Sequence, residues 1–331
     1  MTERDAGARR PEAADLLAAE EWFADNGLPY FVDKVREEVA SRLTRSRLIL
    51  VGAAGLVVSV GSGILAGQLS HDVSYGISTG AQVLLVLALA YGLLALRGGP
   101  IALWAGRRTF RSLGMLFQLA TRALPLLLLF VTFLFINTEV WMVAETLDGG
   151  VMGLTVLLFG AVATIFLLVR LPEEVGRIDD RLDGERVGSA CTGTPLEPWT
   201  DLDDGPGIDE PMVRLERGNL VLVLLVSQVI QVLLLSLTVF GFFLVFGAVI
   251  MDPEVIQSWV GDPPTPFLGQ LLIPRELVQV ATFLSAFSGL YFTVYAVTDE
   301  TYRKQFFTGI VDELERAVGA REVCRAMQRA Q

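Results

Sequence analysis

Residues 48–67 read LILVGAAGLVVSVGSGILAG, an unbroken run of uncharged apolar or small side chains. A bilayer's hydrocarbon core is about 30 Å thick and a helix rises about 1.5 Å per residue, so one crossing needs about 20 such residues. Further stretches pass the same test at 77–96, 125–145, 151–169, 219–250 and 275–297. The expected fold is therefore all-α, a polytopic membrane protein with six transmembrane helices and a small helical layer outside the lipid. The fifth stretch is longer than a crossing requires. It must tilt, protrude or break, and Gly241 or Gly247 is where a break would fall.

Composition agrees. The 331 residues are 52% hydrophobic and 19% charged, with a mean hydropathy of +0.52, too apolar for an ordinary soluble globule. The Leu, Val and Phe content excludes disorder, and two cysteines, Cys191 and Cys324, do not make a disulfide scaffold. A net charge of −11 argues against nucleic acid as a partner. The single histidine, His71, falls in an outer loop with Asp72 and no second His or Cys shares that side, so neither a metal site nor a Ser/His/Asp triad is expected there. No phosphate loop or G-x-S-x-G occurs, and the expectation is a non-enzyme without a cofactor.

Orientation follows from the basic residues, which are retained on the cytoplasmic side during insertion. Every Lys and Arg except Arg275 falls before span 1, between spans 2 and 3, between spans 4 and 5, or in the C-terminal tail. Both termini are thus expected in the cytoplasm and the protein in the plasma membrane, with span 1 an uncleaved anchor and both thiols reduced. The layout reads as N-terminal helices (1–47), hairpin 1–2 (48–96), a basic amphipathic interfacial helix (97–124), hairpin 3–4 (125–169), an acidic helix and linker (170–218), hairpin 5–6 (219–297) and a C-terminal helix (298–331).

Outside the spans, 11–25 reads as a helix stopped by Asn26-Gly27-Leu28-Pro29, with a second from Tyr30. Trp22, Phe23, Tyr30 and Phe31 need burial, and the acidity of the first helix favours other cytoplasmic segments over anionic lipid. In 98–123, Arg108, Arg111, Gln118 and Arg122 recur on one side, and Phe110, Leu113, Phe117 and Leu124 on the other. A helix lying among lipid headgroups has that pattern, so Arg107, Arg108, Arg111 and Arg122 are candidate headgroup contacts. Beyond span 4 a stripe of Leu171, Val175, Ile178 and Leu182 extends the helix before GERVGSACTGTPLEPWTDLDDGPGIDEP, a linker by composition. Its acids lack the EF-hand order, since Gly205 stands where an oxygen ligand is needed, and it reads as a solvated loop. Tyr302, Phe306, Ile310, Leu314 and Val318 give the tail an apolar side to pack on the N-terminal helices. Asp252-Pro253-Glu254 starts a short outer interfacial helix bearing Val255, Ile256 and Trp259.

Within the spans, Gly55, Ser59, Gly63 and Gly67 make a small-residue stripe that serves either tight internal packing or a homo-oligomeric seam. Glu139 falls roughly 9 Å inside the outer end of span 3, and Arg275 is the outer cation available to pair with it, with Asn137 as secondary partner. Gln228, Gln231 and Ser236 in span 5, and Gln279, Thr282, Ser285 and Ser288 in span 6, form polar stripes. Helix-to-helix hydrogen bonds or a shared hydrated path would explain them.

WFADNGLPYFV (22–32) and PLLLLFVTFLFINTEVW (125–141) resemble stretches in multi-pass bacterial membrane proteins of unknown function, through GLPYFV and INTEVW in particular. The resemblance implies a bacterial plasma-membrane location and no activity. Two functions remain open. One is a non-enzymatic module, expected to be a homo-oligomer, whose cytoplasmic layer binds a partner protein or senses the bilayer. The other is a small homo-oligomeric transporter or channel with spans 1, 5 and 6 lining a path.

Overall fold

A computed structural model of the chain describes residues 11–111, 128–147, 149–179, 184–200, 212–267, 270–298 and 300–330. Among these, five helices are long and apolar enough to cross a membrane, and a sharply bent pair makes a sixth if it counts as one span. The fold is all-α and polytopic, and the only sheet among the described residues is a two-stranded hairpin of Pro266–Phe267 and Gln270–Pro274.

The first crossing pair is α3 (Arg45–Ser70) and α4 (Val73–Ala95), following α1 (Ala13–Asp25) and α2 (Asp33–Arg42). His71 takes the left-handed conformation that ends α3, and Asp72 caps α4 by accepting from the Ser74 amide at 2.8 Å. The small-residue stripe packs inside this hairpin. A Cβ on Gly63 would stand 2.8 Å from the Gly76 carbonyl oxygen, one on Gly76 would stand 2.7 Å from that of Gly63, and Ser59 donates to the Gly80 carbonyl at 2.7 Å. Gly67 faces Gly76 in the same contact, whereas Gly55 only grazes Leu87. Packing of α3 is concentrated on α4, and most of its other sides are apolar and exposed.

The third crossing departs from the expected straight span at 125–145. Helix α6 (Leu128–Phe135) and α7 (Thr138–Thr146) meet at a bend of 75°. The local chemistry explains the break. Asn137 caps α7 by accepting from the Glu139 amide at 2.8 Å, and the Trp141 indole donates to the Phe135 carbonyl at 2.6 Å, taking an acceptor a continuing helix would have used. Phe135 stacks on Phe243 at 4.9 Å, and Trp141 meets Trp259 edge-on at 5.9 Å, so α7 packs across the arginine-poor end of the bundle.

Helix α8 (Gly149–Asp179) runs back through Pro172, with Leu171 and Val175 buried as the stripe required; the side chains of Ile178 and Leu182 lie outside the described residues. Helix α10 (Arg214–Ile250) is unbroken, contrary to a break at Gly241 or Gly247. Its first turns instead pack among the N-terminal and C-terminal helices, where Glu216 and Asn219 are buried. Gly247 serves as the place where the Leu277 side chain and Phe135 press against the helix. Asp252 and Pro253 open α11 (Pro253–Val260) as their types dictate. Beyond the hairpin, α12 (Arg275–Thr298) packs antiparallel to α10, and α13 (Glu300–Ala330) returns to the arginine-rich end, where it meets α1. Leu314 and Val318 of α13 are buried, and the side chains of Tyr302, Phe306 and Ile310 lie outside the described residues.

The supposed linker is half structure. Helix α9 (Gly184–Ala190) and a 3₁₀ turn (Glu197–Trp199) order its first part, with Val187, Cys191, Leu196 and Trp199 buried and α9 packed on α13. These four are spaced closely enough to make a small core, which outweighs the Gly, Ser and Thr content. The acidic stretch 201–211 lies outside the described residues.

Candidate functional site

Helix α5 (Gly98–Arg111) divides cleanly by period. Gly98, Ile101, Ala105 and Thr109 are buried and α5 packs on α10. Pro100, Leu103, Trp104, Arg107, Phe110 and Arg111 fall on the opposite side, with Leu103, Arg107, Phe110 and Arg111 exposed. The apolar side anticipated through Phe110 is therefore not the packed one; the buried stripe runs one residue earlier, and Leu113, Gln118, Arg122 and the rest of 112–124 lie outside the described residues. Phe110 and the arginines share the outward face.

That face floors a pocket of about 540 Å³ lined by Leu103, Trp104, Arg107, Arg108 and Arg111, with Asp25 and Asn26 of the α1 terminus and Glu313 of α13 as walls. Arg108 pairs with Glu313 at 2.8 Å. Arg107 and Arg111 make no hydrogen bond or ion pair among the described residues. Two unpaired guanidiniums with exposed Leu103 and Phe110 beside them give a surface that takes an anion and an apolar chain together.

The GLPYFV segment holds this face in place. Gly27 is left-handed at φ +74°, and a Cβ there would stand 3.2 Å from the Trp104 ring. Asn219 clamps the turn, accepting from the Tyr30 amide at 2.9 Å and donating to the Gly27 carbonyl at 3.0 Å. The Tyr30 hydroxyl donates to the Leu96 carbonyl at the end of α4, and burial pushes its pKa up to about 12. Phe23, Tyr30 and Phe31 are buried in protein as expected.

Behind the turn lies a charge cluster that sequence reading missed. The Glu216 carboxylate is buried and accepts from Arg36 of α2 at 3.0 Å, and from Arg321 and Arg325 of α13 at 2.9 and 3.2 Å. Arg321 also pairs with Glu322, and Arg36 with Asp33, so three guanidiniums meet three carboxylates. Such a cluster fixes the relative placement of helices far apart in sequence. At its edge Arg97 and Arg42 both bond Glu38 at 2.6 Å, which lowers the Glu38 pKa chiefly through the Arg97 hydrogen bond.

The other candidate residues are not brought together. Glu139 is exposed in the first turn of α7, beside the positive end of that helix, and no ion pair joins it to Arg275. Asn137 is spent on the cap. The bend puts Glu139 at the exposed first turn of a new helix, where it needs no buried cation. The buried carboxylate at this end is Glu276, which accepts from the Thr265 amide and hydroxyl at 3.1 and 2.8 Å and pins the β-hairpin. Gln279 reaches the Glu145 and Leu147 carbonyls at 3.4 and 3.5 Å. Thr282 and Ser285 bond their own helix and line a largely apolar cleft of about 390 Å³ between α8, α10 and α12. Gln228 and Gln231 are buried on a different side of α10 and do not line that cleft, nor does α3. Among the described residues, the cleft that Thr282 and Ser285 line is thus bounded by α8, α10 and α12 rather than by spans 1, 5 and 6.

Burial also raises both thiols, Cys191 to about 11 and Cys324 to about 12. The neutral form is favoured, so at pH 8 neither should react with iodoacetamide while the protein is folded, and both should in SDS. Alkylation of Cys324 in folded protein at the rate of a free thiol would contradict the packing of α13. No protein-family model, curated protein or solved structure matches the chain.

Proposed function

We propose that the protein is a non-enzymatic membrane-sensing module of the plasma membrane whose helix α5 reads anionic lipid in the cytoplasmic leaflet. The observation that carries this reading is the outward face of α5, where Arg107 and Arg111, without ionic partners among the described residues, stand beside exposed Leu103 and Phe110. The arginine-rich end faces the cytoplasm by the positive-inside rule. There the two guanidiniums meet phosphate while Phe110 and Leu103 enter the upper acyl region. Each arginine near an anionic surface is worth about 1 kcal/mol, or about fivefold in affinity.

The test is native mass spectrometry of detergent-solubilised protein titrated with phosphatidylglycerol and with phosphatidylcholine. Phosphatidylglycerol should bind preferentially, and Arg107→Gln with Arg111→Gln should weaken it about 25-fold, two fivefold factors, while phosphatidylcholine binding stays unchanged. Equal affinity for both lipids in the unaltered protein would overturn the reading.

A further inference from the structure

The cleft of about 390 Å³ lies among three helices long and apolar enough to cross a membrane, α8, α10 and α12. Its floor is α12, where Ser285, Gly289 and Thr293 are buried, and its mouth runs between α8 and α10, where Gly160, Val229, Leu233 and Leu237 are exposed. Small side chains on the floor give it depth. Four of its five hydroxyls are already engaged: Thr164, Thr282, Ser285 and Thr293 each donate to a carbonyl of their own helix at 2.7–2.9 Å. A guest therefore meets hydrocarbon, not donors.

The dimensions are those of one lipid tail. The lining takes in 156–167 of α8, 229–240 of α10 and 282–293 of α12, each an advance of eleven residues and so about 16 Å of helix. Half of a hydrocarbon core about 30 Å thick is about 15 Å, the depth one acyl chain covers. An apolar cavity of about 150 Å³ holds benzene, so 390 Å³ holds about 16 carbons. The two ends differ in access. On α8 the cleft stops at Leu167, one turn short of Arg170, whereas Val156 stands about 10 Å along the helix from Gly149, at the end α7 packs across. Arg170 pairs with Glu173 at 2.8 Å, so the charges at the accessible end cancel.

We propose that the cleft binds a single acyl chain of a phospholipid in the leaflet on the arginine-rich side, and holds that lipid by its tail rather than by its headgroup. The site is separate from the outward face of α5 and does not depend on the headgroup reading.

Photo-crosslinking of the full chain in phosphatidylcholine nanodiscs, with a trace of phosphatidylcholine carrying a diazirine in its acyl chain, tests it. Labelling of 229–240 should exceed that of 51–62 on lipid-exposed α3 by about threefold, because a chain in the cleft meets three helices where one on α3 meets a single face. A Cβ on Gly160 meets nothing within 4 Å, so Gly160→Phe puts a ring in the mouth without disturbing the packing. Labelling of 229–240 should then fall to the α3 level, and stay at the parent's in Gly160→Ala and in Gly61→Phe, whose Cβ is equally clear. A diazirine near the methyl end of the chain should mark 156–160 and one near the ester 163–167; the reverse order would put the lipid in the other leaflet and overturn the assignment. A phosphatidylglycerol probe should label 229–240 as phosphatidylcholine does, and Arg107→Gln with Arg111→Gln should change nothing there; a headgroup preference would overturn selection by the tail. Equal labelling of α10 and α3, or no effect of Gly160→Phe, overturns the site and leaves the α5 reading standing. Labelling of 229–240 below the α3 level, with chemical crosslinks joining two chains at that face, would mean that a second copy fills the cleft, and overturns it too.

Discussion

Replacing Glu216 with alanine should release α13 from the bundle and expose its arginines to trypsin. The carboxylate is the shared acceptor of Arg36, Arg321 and Arg325, and it is almost wholly buried. Taking away one side of a buried ionic cluster strands the other, at a cost of about 3–5 kcal/mol. Asp33 and Glu322 still answer Arg36 and Arg321, which puts the expected loss near the lower figure. About 3 kcal/mol is roughly two decades in the population of the opened helix, so cleavage after Arg321 or Arg325 should quicken about 100-fold. The spans should stay intact, because the cluster lies in the layer beyond them. Trypsin resistance equal to the parent's would mean α13 is held by its apolar contacts alone.

Substituting leucine for Gly76 should separate α3 from α4. The new Cβ would stand 2.7 Å from the Gly63 carbonyl oxygen and 3.0 Å from the Gly67 Cα, both backbone atoms that cannot swing aside. The helices must move apart, and the bond from Ser59 to the Gly80 carbonyl is lost with the contact. Overpacking of this kind costs about 1–3 kcal/mol, and a broken hydrogen bond between membrane helices adds about 0.6. A fall of that size in the free energy of SDS-induced unfolding is the measurement. Gly61→Leu is the control, since a Cβ there meets nothing within 4 Å and the side chain faces lipid. Equal stability of the two variants would place α3 somewhere other than on α4.

The crossings were legible because burying a backbone in lipid demands a long apolar helix, and hydropathy averages report length well. The same averaging hid the bend. The apolar run flows from Phe135 to Trp141 without a pause, yet Asn137-Thr138-Glu139 is a helix start, with a capping amide and an acid in the first turn. Reading it as such would have put Glu139 in the first turn of a separate helix and dissolved the pair with Arg275. Arg107, Arg108 and Arg111 were legible as a cationic face from their spacing. The walls of their pocket were not, because Asp25 and Glu313 come from opposite ends of the chain. Glu216 and Asn219 were illegible for a related reason. Their partners lie more than a hundred residues away, and a charge beside a span reads as a solvated flank until tertiary packing buries it.

Helix α10 runs 37 residues without a proline or a break, from the Glu216 cluster to the aromatic contacts at Phe243 and Gly247. A rod of that length, about 55 Å, behaves as a lever arm: rotation by about 5° around its middle carries each tip about 2.4 Å sideways. Thinning or stretching of the surrounding sheet of lipid would tip such an arm, and both tips are gripped, one by ions and one by rings. The two grips are therefore joined by a single continuous helix.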